Sequence, residues 1–155
     1  MIPQQEADNH KPSLVLSALQ CKCPRCRRGH MFKDSNPYHL KHTMSMYEHC
    51  QVCGQQFDIE VGFYYGTSYV SYAFTVAFSA ATFVAWWVLL GFSLNDNRIF
   101  YWLAVNAVLL IAMQPIFMRI ARSVWLAFFV YYDPQWNSKP PEAPERVNDT
   151  LKDAW

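Results

Sequence analysis

Residues 67–92 read TSYVSYAFTVAFSAATFVAWWVLLGF, and this stretch decides the class of fold. A helix rises about 1.5 Å per residue, so about 20 apolar residues cross a hydrocarbon layer of about 30 Å. Residues 67–92 meet that length and leave some for tilt or interfacial ends. They lie inside a longer run, residues 61–95, in which 35 consecutive positions carry no Asp, Glu, Lys or Arg. Outward on the C-terminal side, Leu94-Asn95-Asp96-Asn97-Arg98 reads as a short polar turn, and residues 99–118 supply a second uncharged stretch of 20 positions. A buried helix of a soluble protein seldom runs so long without a charge. The mean hydropathy near zero hides this segregation. The expected architecture is a membrane protein, mainly α, whose residues 61–118 form a two-helix transmembrane hairpin with spans at about 67–92 and 99–118.

The aromatic residues agree with that reading. Tyr64, Tyr65, Tyr69 and Tyr72 stand at the start of the first span, Trp86 and Trp87 near its end, and Tyr101 and Trp102 open the second. Amphipathic rings concentrate where hydrocarbon meets head groups. Seven Lys/Arg precede the first span, five follow the second, and the turn has Arg98 alone. By the positive-inside tendency, both termini are expected in the cytoplasm and the turn outside. A net charge of +1 argues against a general polyanion binder.

Beyond the spans, residues 119–132 read RIARSVWLAFFVYY. Arg119, Arg122 and Ser123 share one helical face, and Ile120, Val124, Phe128 and Tyr131 another. The uncharged part is too short to cross a bilayer, so an interfacial amphipathic helix is expected, its arginines near lipid phosphates; the alternative is a cytoplasmic extension of the second span. Pro115 permits a bend on either reading. Residues 133–155, with Pro134, Pro140, Pro141 and Pro144 among charges, read as a disordered tail, as do residues 1–12. Ser13-Leu-Val-Leu-Ser-Ala-Leu-Gln20 reads as a short helix that rests on protein or on the membrane surface.

Between the first tail and the first span, residues 13–60 combine that short helix with a polar module holding all five cysteines. Cys23-Pro24-Arg25-Cys26 and Cys50-Gln51-Val52-Cys53 are two CxxC turns. Each brings two thiolates within reach of one ion, and two complete a tetrahedral shell of four sulfurs. Cys23, Cys26, Cys50 and Cys53 are therefore the expected metal ligands, with structural zinc as the cofactor of a zinc-ribbon-like head. Iron–sulfur or redox dithiol chemistry is the competing use of the same residues. Gly54 follows the second pair where a positive φ helps the chain leave a tight turn. Phe32 and Phe57 are candidates to cover a metal-centred core too small to fold without its ion. Lys22, Arg25, Arg27 and Arg28 would offset the charge of four thiolates around Zn²⁺. Cys21 is expected to be a non-ligand, and His30, His39, His42 and His49 to be surface residues.

Four sulfur ligands leave no open coordination position, and no catalytic motif is present, so the protein is not expected to be an enzyme. Asn106 and Gln114 are the strongly polar residues of the second span, expected to hydrogen-bond the first span or a partner helix. Ala73, Ala77, Ala81 and Ala85 form a small-residue stripe expected to pack on the second span within the hairpin. Gly62 and Gly66 have the GxxxG spacing, which serves either helix packing or a turn into the helix.

The segments CPRCRRGHMF (residues 23–32), NPYHLKHTMSMYEHCQVCGQQFD (36–58) and GFYYGTSYVSYAFTVA (62–77), with the arginine-bearing segment ending in YYDP, resemble the bacterial domain-of-unknown-function family 983, in a Bacteroidetes-type version. The likeness extends over residues 13–136. It implies a small cytoplasmic-membrane protein with a zinc-ribbon-like head and two spans, whose paired cysteines fall on Cys23, Cys26, Cys50 and Cys53. Gln51 stands where members often have proline. In some bacteria, genes of similar members lie near cytochrome c oxidase and its assembly factors, which points by association to a respiratory link. The expected function is a non-enzymatic, zinc-binding accessory protein held beside a membrane protein, with the lipid bilayer as its other partner. Its expected contact surfaces are the basic first knuckle, the aromatic residues 62–72 and residues 119–132. The alternative is metal handling or thiol redox through the CxxC pairs. Nucleic-acid binding is disfavoured, because residues 1–60 carry seven basic and six acidic side chains.

Overall fold

The computed structural model describes residues 12–60, 62–91 and 97–141. Residues 1–11 of the expected tail at 1–12, residues 142–155 of the expected tail at 133–155, and most of the polar turn lie outside the described residues. The described chain is mainly helical and has no β-strand. Helix α1 spans Leu14–Leu19, a 3-10 turn spans Phe63–Gly66, α2 spans Thr67–Leu90 and α3 spans Arg98–Phe129.

Helices α2 and α3 are both long and apolar enough, by length and composition, to cross a membrane, and nearly all residues of their apolar stretches are exposed or half-buried. At 24 residues α2 is about 36 Å long, and at 32 residues α3 is about 48 Å, so α3 outruns a 30 Å hydrocarbon layer by about three turns. Those extra turns replace the expected separate helix over residues 119–132. No break occurs at Met118, and the helix continues through Pro115 to Phe129. Nor does the arginine face point outward. Arg119 is 5% exposed and donates to the carbonyls of Thr43 (2.9 Å), Asp34 (2.9 Å) and Asn36 (3.0 Å). Phe128 and Tyr131, on the opposite face, are the exposed ones. The physical reason lies in the head: its residues 34–44 form turns rather than strands, and their carbonyls need donors that guanidinium groups supply.

The two long helices are registered by a polar bridge and an aromatic seam. Asn106 is buried, donates to Ser79 Oγ (3.2 Å) and accepts from Thr82 Oγ1 (3.0 Å). Phe117 packs between Phe74 and Phe78, and Phe83 meets Trp102 edge-on. The alanine stripe consequently faces the other way: Ala73, Ala77, Ala81 and Ala85 are all exposed, contrary to the expected packing on α3. Leaving a buried Asn amide unpartnered costs more than close alanine packing gains, so Asn106 sets the rotation of α2. Gln114 is exposed.

Each glycine of the GxxxG pair has its own task. Gly62 takes φ +77 to start the 3-10 turn, whereas a Cβ on Gly66 would lie 2.1 Å from the Trp125 ring, so only glycine lets α3 approach there. Trp125 Nε1 donates to Phe63 O at 2.8 Å, tying the start of α2 to the end of α3.

Helix α1 lies against α3 and buries Ser17, leaving Leu14, Val15, Leu16 and Leu19 exposed. It stops in a Schellman arrangement: Cys21 N–H bonds Ala18 O, Lys22 N–H bonds Ser17 O, and Cys21 takes the left-handed φ of 53. Residues 133–141 also depart from expectation, for they pack on the head rather than forming a tail. Asp133 pairs with Arg25 at 3.1 Å, Trp136 packs against the cysteine core, and Arg25 Nη2 bonds Lys139 O and Pro140 O. A turn over residues 134–138 brings the carbonyls of Lys139 and Pro140 to the arginine.

Candidate metal centre

Both CxxC turns are built alike, from the backbone upward. In the first, Arg27 N–H bonds Cys23 O (2.7 Å) and Cys23 N–H bonds Gly29 O (2.8 Å). In the second, Gly54 N–H bonds Cys50 O (2.9 Å) and Cys50 N–H bonds Gln55 O (2.8 Å). The residue after each second cysteine is left-handed, at φ 56 for Arg27 and φ 72 for Gly54, so the chain reverses at once and both sulfurs face inward. Gly54 matches its expected role. Arg27 takes the same conformation at a cost of about 1–2 kcal/mol.

A single antiparallel bridge brackets each turn, Lys22 with His30 and His49 with Gln56, and a third, Phe32 with Met46, joins the two arms. The head is thus a ribbon reduced to isolated bridges. Turns interrupt every ladder before strands develop, which leaves the sulfur cluster and its apolar cover to hold the arms together.

The four sulfurs converge from these two turns. Cys23 and Cys53 Sγ lie 3.7 Å apart, as do Cys26 and Cys50 Sγ, and all four lie within 4.8 Å of one another. Disulfides need about 2 Å, so these are thiols. A tetrahedral ion with metal–sulfur distances of about 2.3 Å places its sulfurs about 3.8 Å apart, close to the spacing observed. The cluster can therefore hold a metal ion. Cys23, Cys26 and Cys50 are buried and Cys53 half-buried.

Sulfur-to-sulfur hydrogen bonds divide the protons unevenly. Cys23 is pushed above the ordinary thiol value, first by its bond with Cys26, while Cys26 is held well below it by the same bond. Cys50 is lowered to about 7, first by its bond with Cys23. Backbone N–H groups of Gly29 and Cys53 bond the sulfurs of Cys26 and Cys50 and favour their thiolates.

Phe57 and Phe32 cover the cluster together with Met31, and Leu126 of α3 enters the same core fully buried. The metal-centred core and the long helix are therefore one packing unit. Two residues that sequence reasoning passed over matter here. A Cβ on Gly29 would meet Cys50 Sγ at 2.3 Å, so the first turn tolerates no side chain there. Leu126, beyond both uncharged stretches in the sequence, seals the core, and nothing in its local sequence marks it.

The basic first knuckle proves not to be an open surface. Arg25 and Arg27 are buried, engaged with residues 133–140, with Pro12 O and with the Tyr132 ring. His30, His39, His42 and His49 are exposed and none joins the cluster. Cys21 stands outside it too, and burial pushes its thiol up to about 11. No family model, no curated protein and no solved structure matches this chain.

Proposed function

We propose that the protein is a non-enzymatic, zinc-binding accessory protein of the bacterial cytoplasmic membrane, of the family-983 kind. The carrying observation is that the four-sulfur cluster shares one apolar core with α3 through Leu126. A metal held there stiffens the head and welds it to a helix long enough to span a bilayer. The sulfur spacing suits zinc, a closed shell of four thiolates leaves no position for water, and the role of the ion is structural. Cys23, Cys26, Cys50 and Cys53 would hold it.

Apolar surface exposed on the faces of α2 and α3 turned away from each other supports insertion, since a soluble monomer rarely exposes continuous apolar surface on this scale. Both ends of the described chain gather at the head, through Arg27 with Pro12 and Arg25 with Pro140, which supports termini on one side, the cytoplasmic one by charge. On this reading the hairpin holds the head at the membrane surface beside a membrane protein, such as a respiratory oxidase during assembly. A thiol relay through Cys21 is disfavoured by its raised pKa.

The test replaces Cys50→Ser in tagged protein expressed in its native host. Zinc content should fall and the head should become protease-sensitive, while the protein stays in the membrane fraction and loses co-purifying partner subunits. Retention of full zinc content and of the partner by this variant would refute the reading.

A further inference from the structure

The two arginines that α3 carries to the head are in opposite states. Arg119 donates from all three of its nitrogens to carbonyls. Arg122, one turn on, donates from one Nη to Met44 O, long at 3.4 Å, and to Met46 Sδ at 3.4 Å, and stands 5.0 Å from the Tyr64 ring centroid. Its guanidinium lines a cleft of about 400 Å³, within the range of small-molecule sites. Phe63, Tyr64 and Tyr65 form the aromatic wall, and Asp58 and Glu48 stand on the head side. Arg122 and Asp58 feel each other electrostatically but are not joined by an ion pair, and among the described residues the Asp58 carboxylate has no hydrogen-bond partner. One cleft thus holds a half-buried cation and an exposed carboxylate apart, without a direct ion pair between them.

Its position is equally specific. The cleft opens between the head and the 3-10 turn that begins α2, one turn beyond the uncharged stretch of α3. On the membrane reading above, on which this inference rests, that is the level of the head groups. We propose that the cleft binds the phosphoethanolamine head group of a membrane phospholipid, the phosphate taken by the Arg122 fork and the ammonium by Asp58. Guanidinium matches phosphate oxygens in a two-pronged fashion. The ammonium donates N–H to Asp58, which the trimethylated nitrogen of choline cannot do. A head group that is anionic alone leaves Asp58 and Glu48 facing added negative charge.

The test uses full-length, zinc-loaded protein in detergent, titrated with phosphatidylethanolamine, phosphatidylglycerol and phosphatidylcholine of identical chains, with bound lipid read by native mass spectrometry. Phosphatidylethanolamine should bind about tenfold more tightly than the other two. Arg122→Gln should weaken it about tenfold or more, and Asp58→Asn should bring phosphatidylethanolamine and phosphatidylglycerol to near parity. Asp58 makes no hydrogen bond among the described residues, so this second variant keeps the fold, which unchanged zinc content verifies. Equal binding of the three lipids by the wild type, or indifference to both substitutions, overturns the proposal. Binding of free phosphoethanolamine as tight as that of the lipid overturns the bilayer as its source. Release of the protein from membranes by alkaline carbonate refutes the membrane reading itself, whereas firm insertion with indifferent lipid binding refutes the cleft alone.

Discussion

Replacing Arg119→Met tests the docking of the head on α3 most directly. The substitution removes three charge-assisted hydrogen bonds, to Thr43 O, Asp34 O and Asn36 O, and the guanidinium stacked 4.8 Å from the Phe32 ring centroid. Thr43 is buried, so its carbonyl loses a partner without gaining water and accounts for about 2 kcal/mol. The other two carbonyls lie nearer solvent and recover part of the loss by hydration, at about 1 kcal/mol each. The total, about 4 kcal/mol, is close to the whole net stability of a core this small. Hydrogen exchange is the suitable assay, on wild type and variant loaded with zinc in the same detergent. The amides to follow are Lys33 and Ser45, bonded to Ser45 O and His42 O. If residues 33–45 open as a unit, their exchange should accelerate by up to about a thousandfold, the equivalent of 4 kcal/mol. Arg119→Lys keeps the charge but not the fork and should fall between the two. Arg122→Met, which loses two contacts at 3.4 Å and the stacking on Tyr64 but no bond to residues 33–43, should change these amides far less. Acceleration below tenfold in Arg119→Met, or an equal effect in Arg122→Met, would refute the argument that these carbonyls hold the head.

Two other expectations follow from the packing. Gly66→Ala places a Cβ 2.1 Å from the Trp125 ring, and overpacking of this kind costs about 1–3 kcal/mol, so the head should melt several degrees lower in detergent; an unchanged melt would show that Trp125 does not pack there. Cys21, with its thiol raised from about 9 to about 11 by burial, should stay unlabelled by iodoacetamide at pH 8 in the zinc-loaded protein and react only as the pH approaches 11. The sign of the linkage follows: the folded state keeps this thiol protonated, so its contribution is constant below about pH 9 and declines between about pH 9 and 11, where only the unfolded chain ionises it. Cys21→Ser should remove that decline without lowering zinc content, and a loss of zinc would make Cys21 a ligand after all.

Some of this molecule is readable one segment at a time. Charge-free runs of 35 and 20 positions mark α2 and the first two-thirds of α3, because helix length and the cost of burying charge are local properties. The paired CxxC turns are local as well. Two residues fix the separation of two sulfurs, and Gly54 shows where the chain reverses. Arg27 performs the same reversal and carries no such mark, because arginine adopts a positive φ only when the surrounding hydrogen bonds hold it there.

The sequence by itself therefore determined two long apolar helices, the four cysteines and the chemistry they share. Tertiary structure alone decided what the segments do to one another. Arg119 could face lipid phosphates or protein carbonyls with equal local logic, and the choice fell to residues 34–44, some 75 to 85 positions away, whose turns leave carbonyls unpaired. Asn106 turned the alanine stripe of α2 away from α3, because a buried amide must find Ser79 and Thr82 before small side chains can pack. Arg25 drew residues 133–140 onto the head for the same reason. Apolar length is a property of one segment, but a polar group's need for a partner is satisfied only in three dimensions, by whichever distant segment arrives with the complementary atom.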